Sequence, residues 1–420
     1  MNQDNLLVGL DIGTSKVCAV IAELTETGGV DVLGVGKVKS KGLRRGVVVN
    51  IEATLRSVAD AIERAENMAG REIQSLSTGI SGAHIEGINS RGVVAVTSKD
   101  REISFVDVSR VMDAARAVVL PMDREVLHVI PQEYVVDDQK GIRDPIDMIG
   151  VRLEAEVHIV TGSVTAAQNL LKCVNRAGFK VDEIALDILV ASQVVLSQDE
   201  KDLGTIVIDI GGGTTNIILY QNGAPYFTGV VSIGGNEVTS DLSIILKHPV
   251  ETMETLKIQS GCCYGPLVED DPEEIILPGV GGMPPTQLTK SDLAEYIQPR
   301  MEEIFQLVKD KVEREGQFTR WSSLAGGIVL TGGGALLQGA PELAAEIFHS
   351  AVRVGYPLGV GGLVQDLQRP DLATAIGLVM HQAAGLSSER MSERASLMGT
   401  GTRSGKKPSV LRKWLRNFFE

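Results

Sequence analysis

Two aspartates, Asp11 and Asp209, each stand at the end of an apolar run and at the mouth of a turn built from glycine and hydroxyl residues. The first stretch reads Leu7-Val8-Gly9-Leu10-Asp11-Ile12-Gly13-Thr14-Ser15-Lys16-Val17, and the second, Thr205 to Leu219, reads TIVIDIGGGTTNIIL. The chemistry open to each is the grip of a phosphate group. Gly211, Gly212 and Gly213 allow positive φ and leave backbone N–H groups bare enough for phosphate oxygens to approach. An aspartate at the mouth of such a turn can hold Mg2+ through water, because that ion keeps much of its hydration shell and takes few direct carboxylates. One glycine-rich turn alone is usually only a turn. Two of them 198 positions apart, with Asp11 matching Asp209, indicate two related halves, since solenoid periods are far shorter.

The elements that must carry these turns are strands on both sides. Val17 to Ala22 and Ile217 to Leu219 follow the turns as apolar, mostly β-branched runs, so each unit predicts strand, turn, strand. A Rossmann or P-loop turn would open a helix instead, and no GxxxxGK[ST] occurs. A third glycine cluster, Gly326 to Leu336, predicts a buried strand running into a turn, with a helix from Pro341 to Phe348. Glycine there lets a flat ring lie close against the backbone.

With the further blocks HVIPQEY at His128 to Tyr134 and IVLTGGGALLQG, the chain resembles the actin, sugar-kinase and Hsp70 superfamily of ATP-binding proteins. Within it the chain resembles the FtsA family of bacterial cell-division actins essentially end to end. The resemblance implies an α/β, actin-like two-lobed ATPase fold of duplicated ribonuclease-H-like domains, with an inserted α+β subdomain and a C-terminal amphipathic helix. It implies ATP and Mg2+ as ligands. Asp11, Gly13, Thr14 and Lys16 then form the first phosphate hairpin, and Asp209 with Gly211, Gly212, Gly213, Thr214, Thr215 and Asn216 the second. Thr14 and Thr215 would donate to phosphate oxygens, Lys16 would neutralise the β or γ charge, and the two aspartates would organise the metal. The adenine would rest on Gly332, Gly333, Gly334, Ala335 and Leu336. Gly234, Gly235 and Asn236 precede a helix predicted from near Glu237, whose free N–H groups could face the nucleotide. Glu254 and Lys257 read by spacing as an ordinary surface ion pair, whereas in relatives the pair borders the ribose. Actin relatives carry Gln or Glu near the start of the helix that crosses between halves, to orient the attacking water. Here that position holds Asp187, shorter by a methylene, with Gln193 further along and facing elsewhere. Fast hydrolysis is not expected, because a water-positioning group displaced by ~1 Å can cost on the order of 10²-fold in rate.

Composition narrows the reading. At 420 residues the chain is too long for one core, and 43% hydrophobic with 22% charged residues is a soluble globular balance. A net charge of −14 argues against nucleic-acid binding through the body. Cys18, Cys173, Cys262 and Cys263 lack metal or disulfide spacing, and no HxxxH pair occurs. The N-terminus has no basic region leading into a long apolar core, and no run of 18 apolar residues follows, so the expectation is a protein neither exported nor membrane-spanning.

Periodicity and the resemblance together divide the chain. Residues 1–82 with 163–200 and 355–384 form a first core subdomain, 83–162 the insert, 201–233 with 312–354 a second core, and 234–311 an outer subdomain. Helices are predicted over Glu52–Ala69, Val106–Val119, Thr165–Ala177, Ile184–Leu196, Val250–Ser260, Ser291–Val312 and Leu372–Val379, with Pro299 bending or breaking the sixth. By resemblance the outer subdomain grips the FtsZ C-terminal tail, with Arg300 and Glu303 as candidate contacts, and the insert serves self-association and other division proteins. Residues 385–408 read as a flexible linker. In the last segment, 409–420, a helix would align Val410, Leu411, Trp414, Leu415 and Phe418, with Arg412, Lys413 and Arg416 on the flanks and Phe419 at the edge. Six basic residues from Arg403 to Arg416, on an otherwise acidic chain, suit an interfacial helix on an anionic membrane. The expected protein is therefore peripheral, on the cytoplasmic face of the bacterial inner membrane at the division site, tethering the FtsZ ring, with slow ATPase activity at most. A small-molecule kinase of the same superfamily would need a catalytic base and a polar substrate pocket that no segment offers. An Hsp70-like chaperone would need a further β-rich domain, for which only about 35 residues remain.

Overall fold

A computed structural model describes residues 5–25, 28–279, 281–282, 284–362 and 367–398, with side chains as far as residue 386. The C-terminal segment 409–420 therefore lies outside the described residues. The chain opens with strands β1 (Leu6–Ile12), β2 (Lys16–Leu24) and β3 (Val30–Lys39), then a small hairpin, β4 (Leu43–Arg44) and β5 (Val47–Val48). Helix α1 (Ile51–Ala69) starts where the Asn50 side chain accepts from Ala53 N–H and stops at Gly70 with φ 62°, the left-handed cap that glycine takes without strain. Its Val58, Ala61, Ile62 and Ala65 are buried at helical spacing. Strand β6 (Ser75–Ile80) leads into the insert: β7 (Glu86–Ala95), α2 (Phe105–Arg116), β8 (Arg124–Val136), β9 (Gln139–Ile142) and β10 (Arg152–Ser163).

The chain then returns through α3 (Val164–Arg176), β11 (Lys180–Leu186) and α4 (Asp187–Val195). The first lobe's sheet runs β11-β6-β1-β2-β3. After α5 (Gln198–Leu203), strands β12 (Thr205–Ile210), β13 (Thr215–Gln221) and β14 (Ala224–Val231) repeat the antiparallel meander of β1 to β3. The outer part follows as α6 (Gly235–Leu246), α7 (Val250–Ser260), the two-stranded β15 (Glu274–Leu277) and β16 (Thr286–Thr289), and α8 (Lys290–Arg314). Strand β17 (Ile328–Thr331) pairs parallel with β12 as β6 does with β1, and beyond α9 (Ala340–Phe348) strand β18 (Val352–Val354) completes the second sheet, β14-β13-β12-β17-β18. Both sheets thus share one topology, the structural form of the repeat in the sequence. Last, β19 (Val360–Gly362) joins the far edge of the first sheet beside β3, and α10 (Ala373–Met398) packs on α4 and β1.

The lobes meet on α4 and α10. Helix α4 is apolar on nearly every face and almost wholly buried. A Cβ on Gly377 would lie 2.3 Å from the Val190 carbonyl oxygen, so the two helices touch backbone to backbone only because that residue is glycine. The insert makes a second junction by seating on β14. His158 contacts Thr228 (Nε2 to Oγ1 2.9 Å) and Asn89 (Nδ1 to Oδ1 2.7 Å), Asn89 donates to the Tyr226 carbonyl, and Gln132 donates to the Pro225 carbonyl. Burial pulls the His158 pKa down to about 4. The neutral ring therefore donates from Nδ1 to the Asn89 amide oxygen and accepts the Thr228 hydroxyl at Nε2.

Two predicted elements are corrected. Ile184 to Leu186 are not the start of a helix. They form the end of β11, paired parallel with β6, and the helix begins at Asp187. The linker predicted from residue 385 does not begin there, because α10 continues to Met398; Glu389, Arg390, Met391, Glu393 and Arg394 are strong helix formers, which a reading for polarity alone undervalues, and the rest of that prediction, residues 399–408, lies outside the described residues. Pro299 does not break α8, which runs 25 residues from a Thr289–Asp292 capping box.

Candidate functional site

Between the lobes lies a cavity of about 480 Å³, well within the range of small-ligand sites. Its floor is made by the two turns. Gly13 N–H donates to the Lys16 carbonyl in the first and Gly211 N–H to the Thr214 carbonyl in the second, both at 2.9 Å, so the loops close alike. Gly13, Thr14 and Lys16 face Gly211, Gly212 and Thr214 across the cleft. The loops interlock: a Cβ on Gly212 would lie 1.8 Å from Ser15 Oγ, and Ser15 donates to Asn236 of the other lobe at 2.9 Å. Asn216 accepts from Ser81 at 2.5 Å and donates to Asp209 at 3.3 Å.

Asp11, Asp187 and Asp209 are all buried in the cavity wall. Burial lifts the Asp209 pKa to about 6, with the Asp11 charge adding to it. Burial raises Asp187 well above the usual carboxylate range, reinforced by Asp11 and Asp209. One Asp187 oxygen has no hydrogen-bond partner, and Gly79 makes room for it, since a Cβ there would lie 1.9 Å away. Lys16 pairs with Asp11; its burial disfavours the charge, yet the Asp11 carboxylate outweighs this and the pKa ends above the ordinary lysine value. Three buried carboxylates, one with an orphaned oxygen, beside two glycine loops form a donor set suited to a hydrated divalent cation and phosphate.

The other end of the cavity takes Gly235, Glu254, Lys257, Gly332, Gly333, Gly334 and Leu336. Lys257 is no surface cation. It is nearly buried and donates to the Gly235 carbonyl (2.9 Å), Thr239 (2.8 Å) and Glu254 (2.7 Å). Nothing lies within 4 Å of a Cβ on Gly333, whereas one on Gly332 would strike Asp209.

Four predicted contacts fall outside the wall. Thr215 is the first residue of β13; alternation turns its side chain into the core, and its hydroxyl donates to the Ile233 carbonyl, leaving Thr214 to face the cavity. Gly213 packs against Thr14 and the backbone of Arg45, Ala335 is buried, and Gly234 lies under Gly211, where a Cβ would come within 2.5 Å of its carbonyl oxygen. Gln193 faces away, toward His381. Arg300 is already engaged: it donates to both Asp241 oxygens (2.6 and 3.1 Å) and pairs with Glu303. These residues edge a separate groove of about 320 Å³ with Ile244, Ile245, Tyr296 and Pro299.

The sequence reading missed Lys37 and Asp371. Lys37 lies in register with Cys18 and Asp11 across β3, β2 and β1, hence on the same face of the sheet, and pairs with Asp371, to which Arg369 also donates. Burial alone would raise Asp371, but the bonds from Arg369 and Lys37 hold it below the usual carboxylate range. Only the strand register, legible from alternation, could have flagged Lys37.

Among solved structures, the PilM–PilN type IV pilus biogenesis complex matches with a TM-score of 0.63 at 16% identity, covering 90% of this chain and 98% of that chain. MreB5 of Spiroplasma citri bound to AMPPNP matches with 0.54 at 13%, covering 93% and 100%. The duplicated sheets, the facing hairpins and these backbones define an actin-like protein of two lobes around a cleft. Family models described as "SHS2 domain inserted in FTSA" and "Cell division protein FtsA" match residues 82–161 and 206–377. Proteins named cell division protein FtsA from Borreliella burgdorferi and Pseudomonas aeruginosa are each 44% identical to it, over 416 and 418 residues, covering 99% of this chain and 99% and 98% of theirs. The chain belongs to the FtsA family.

Proposed function

We propose that the cleft binds Mg-ATP as an assembly ligand, and that the protein polymerises on the cytoplasmic face of the inner membrane and tethers the FtsZ ring there during division. The observation that carries this reading is the pair of equivalent hairpins facing each other with three buried carboxylates between them. Asp11 and Asp209 would hold Mg2+, which supplies charge neutralisation at the phosphate oxygens when bound. Thr14, Lys16 and the loop N–H groups would position the phosphates. Glu254, Lys257 and the Gly332–Gly334 turn would border the nucleoside. Burial and the Asp11 and Asp209 charges raise the Asp187 pKa; its side chain is a methylene shorter than the Gln or Glu of actin relatives, which suits slow turnover.

The groove beside Arg300 supports docking of the FtsZ tail. Ile244 and Ile245 are exposed there, and Arg300 is shared between Asp241 and Glu303, so apolar contact supplies most of the affinity. The membrane role rests on the amphipathic pattern of residues 409–420.

Calorimetric titration of the whole chain with ATP, with and without Mg2+, tests the site. Asp209→Ala should abolish Mg-dependent binding. Undiminished affinity in that variant would overturn the reading. A chain ending at residue 408 should leave anionic vesicles for the supernatant, and unchanged co-sedimentation would overturn the membrane role.

A further inference from the structure

Resting on the nucleotide reading above, we infer that Arg45 is a ligand of the terminal phosphate of a bound nucleoside triphosphate, and that it makes the cleft distinguish triphosphate from diphosphate. Arg45 and Gly46 form the two-residue turn of the β4–β5 hairpin, with φ of 49° and 76°. Both lie in the left-handed region, where glycine or asparagine is at home and an arginine is strained. Strained non-glycine residues that persist cluster at functional sites. Here the strain fixes the backbone from which the Arg45 side chain extends.

That backbone lies over both phosphate loops at once. Gly46 N–H donates to Thr14 Oγ1 at 3.0 Å, anchoring the turn to the first loop. A Cβ on Gly213 would lie 3.2 Å from the Arg45 nitrogen, so the turn also rests on the second. The hairpin belongs to the first lobe, yet the Arg45 side chain reaches toward Glu237 in the first turn of α6 in the second lobe. The separation is 3.9 Å, too long for a hydrogen bond, and the other Glu237 oxygen is taken by Gly234 N–H at 3.0 Å. The Arg45 side chain is half exposed and loosely held.

Charge gives the reason for such a group. Lys37, Lys39, Lys41, Arg44 and Arg45 fall within nine residues of a chain that carries −14 overall. Lys37 is bound to Asp371 and Lys39 to Glu251 across the cleft at 2.7 Å. Lys16 is bound to Asp11, and Asp187 and Asp209 add two further buried carboxylates. A triphosphate entering beside these acids needs a cation not already committed. The Arg45 fork matches phosphate oxygens in pairs, which Glu237 at its present distance does not engage. With a diphosphate the fork has no third phosphate to meet and stays near Glu237.

The test compares ATP and ADP affinities, with Mg2+, for the full chain and for Arg45→Gly and Arg45→Lys. Arg45→Gly suits the positive φ, so it removes the guanidinium and relieves backbone strain; its thermal stability should equal or exceed that of the parent. We expect ATP affinity in Arg45→Gly to fall roughly 10- to 100-fold, the range of a charged hydrogen bond, with ADP affinity within about twofold. Arg45→Lys should recover part of the ATP preference through charge alone. An Arg45→Gly chain that keeps its ATP-to-ADP ratio overturns the inference while leaving the nucleotide reading intact, as does an Arg45→Lys chain no different from Arg45→Gly. A parent chain that binds neither nucleotide overturns both.

Discussion

Replacing Asp209 with Asn should stabilise the ligand-free protein while removing its response to Mg-ATP. Burial and the Asp11 charge lift the Asp209 pKa from 3.8 to about 6. Keeping the carboxylate ionised at neutral pH therefore costs the fold on the order of 3 kcal/mol, at about 1.4 kcal/mol per tenfold change in proton affinity. Asn at this position keeps an oxygen for the Asn216 amide, so little is lost in exchange. Allowing for relaxation of the neighbouring acids and for burial of the new amide, a gain of roughly 1–3 kcal/mol is expected in urea unfolding at pH 7.5. The pH dependence gives the sign. The folded state holds this proton more tightly than the unfolded one, so the parent loses stability as pH rises from about 4 to about 6 and the loss is complete above that. The gap between the two proteins should thus be near zero at pH 4 and full at pH 7.5, and taking the difference cancels the titration of groups distant from Asp11, Lys16 and Asp187. In the same samples Mg-ATP should raise the melting temperature of the parent and leave that of Asp209→Asn unmoved. A variant less stable than the parent without ligand, or a gap that does not change with pH, would refute the burial argument.

Thr215→Val should lower stability by about 1–2 kcal/mol, because the partly buried Ile233 carbonyl loses its donor, yet leave nucleotide affinity unchanged; calorimetry on the folded variant checks the second half. Gly377→Ala should force α4 and α10 apart at Val190 and cost roughly 2–4 kcal/mol, read from denaturant unfolding. Lys257→Met leaves Glu254 with the Thr239 hydroxyl but without its cation beside the nucleoside end of the cavity, and should weaken nucleotide binding about tenfold or more by fluorescence titration. His158 is held neutral by burial, with a pKa of about 4 against an ordinary 6.5. The folded protein should therefore lose stability as pH falls from 6.5 toward 4, a loss that His158→Gln should reduce when the two unfolding curves are subtracted.

The Asp-led hairpins were legible because their signal is local: β-branched runs on both sides, glycine at the turn, and a constant offset between the halves. Helix α1 was legible for the same reason, its cap residues and its apolar spacing lying within one segment. The choice between Thr214 and Thr215 was not, since it depends on where β13 begins, and one residue of register sends a side chain to the other face. Lys37, Asp371 and Arg45 were missed because their partners lie far away in the chain or on another strand. No motif marks them until the sheet register and the seat of the β4–β5 hairpin are known. Arg300 could be named as a candidate contact from the sequence, but its tie to Asp241, 59 positions earlier, could not be read there.

The insert grows from the first lobe but rests, through His158, Asn89 and Gln132, on the edge strand of the second. The two lobes are thus braced at a point far from their hinge helices in the chain, and opening the jaws must strain or release that brace. Anything that grasps the insert acquires leverage over what the jaws hold. By reciprocity the contents of the jaws set how readily the insert yields to such a grasp, with equal free energy in both directions.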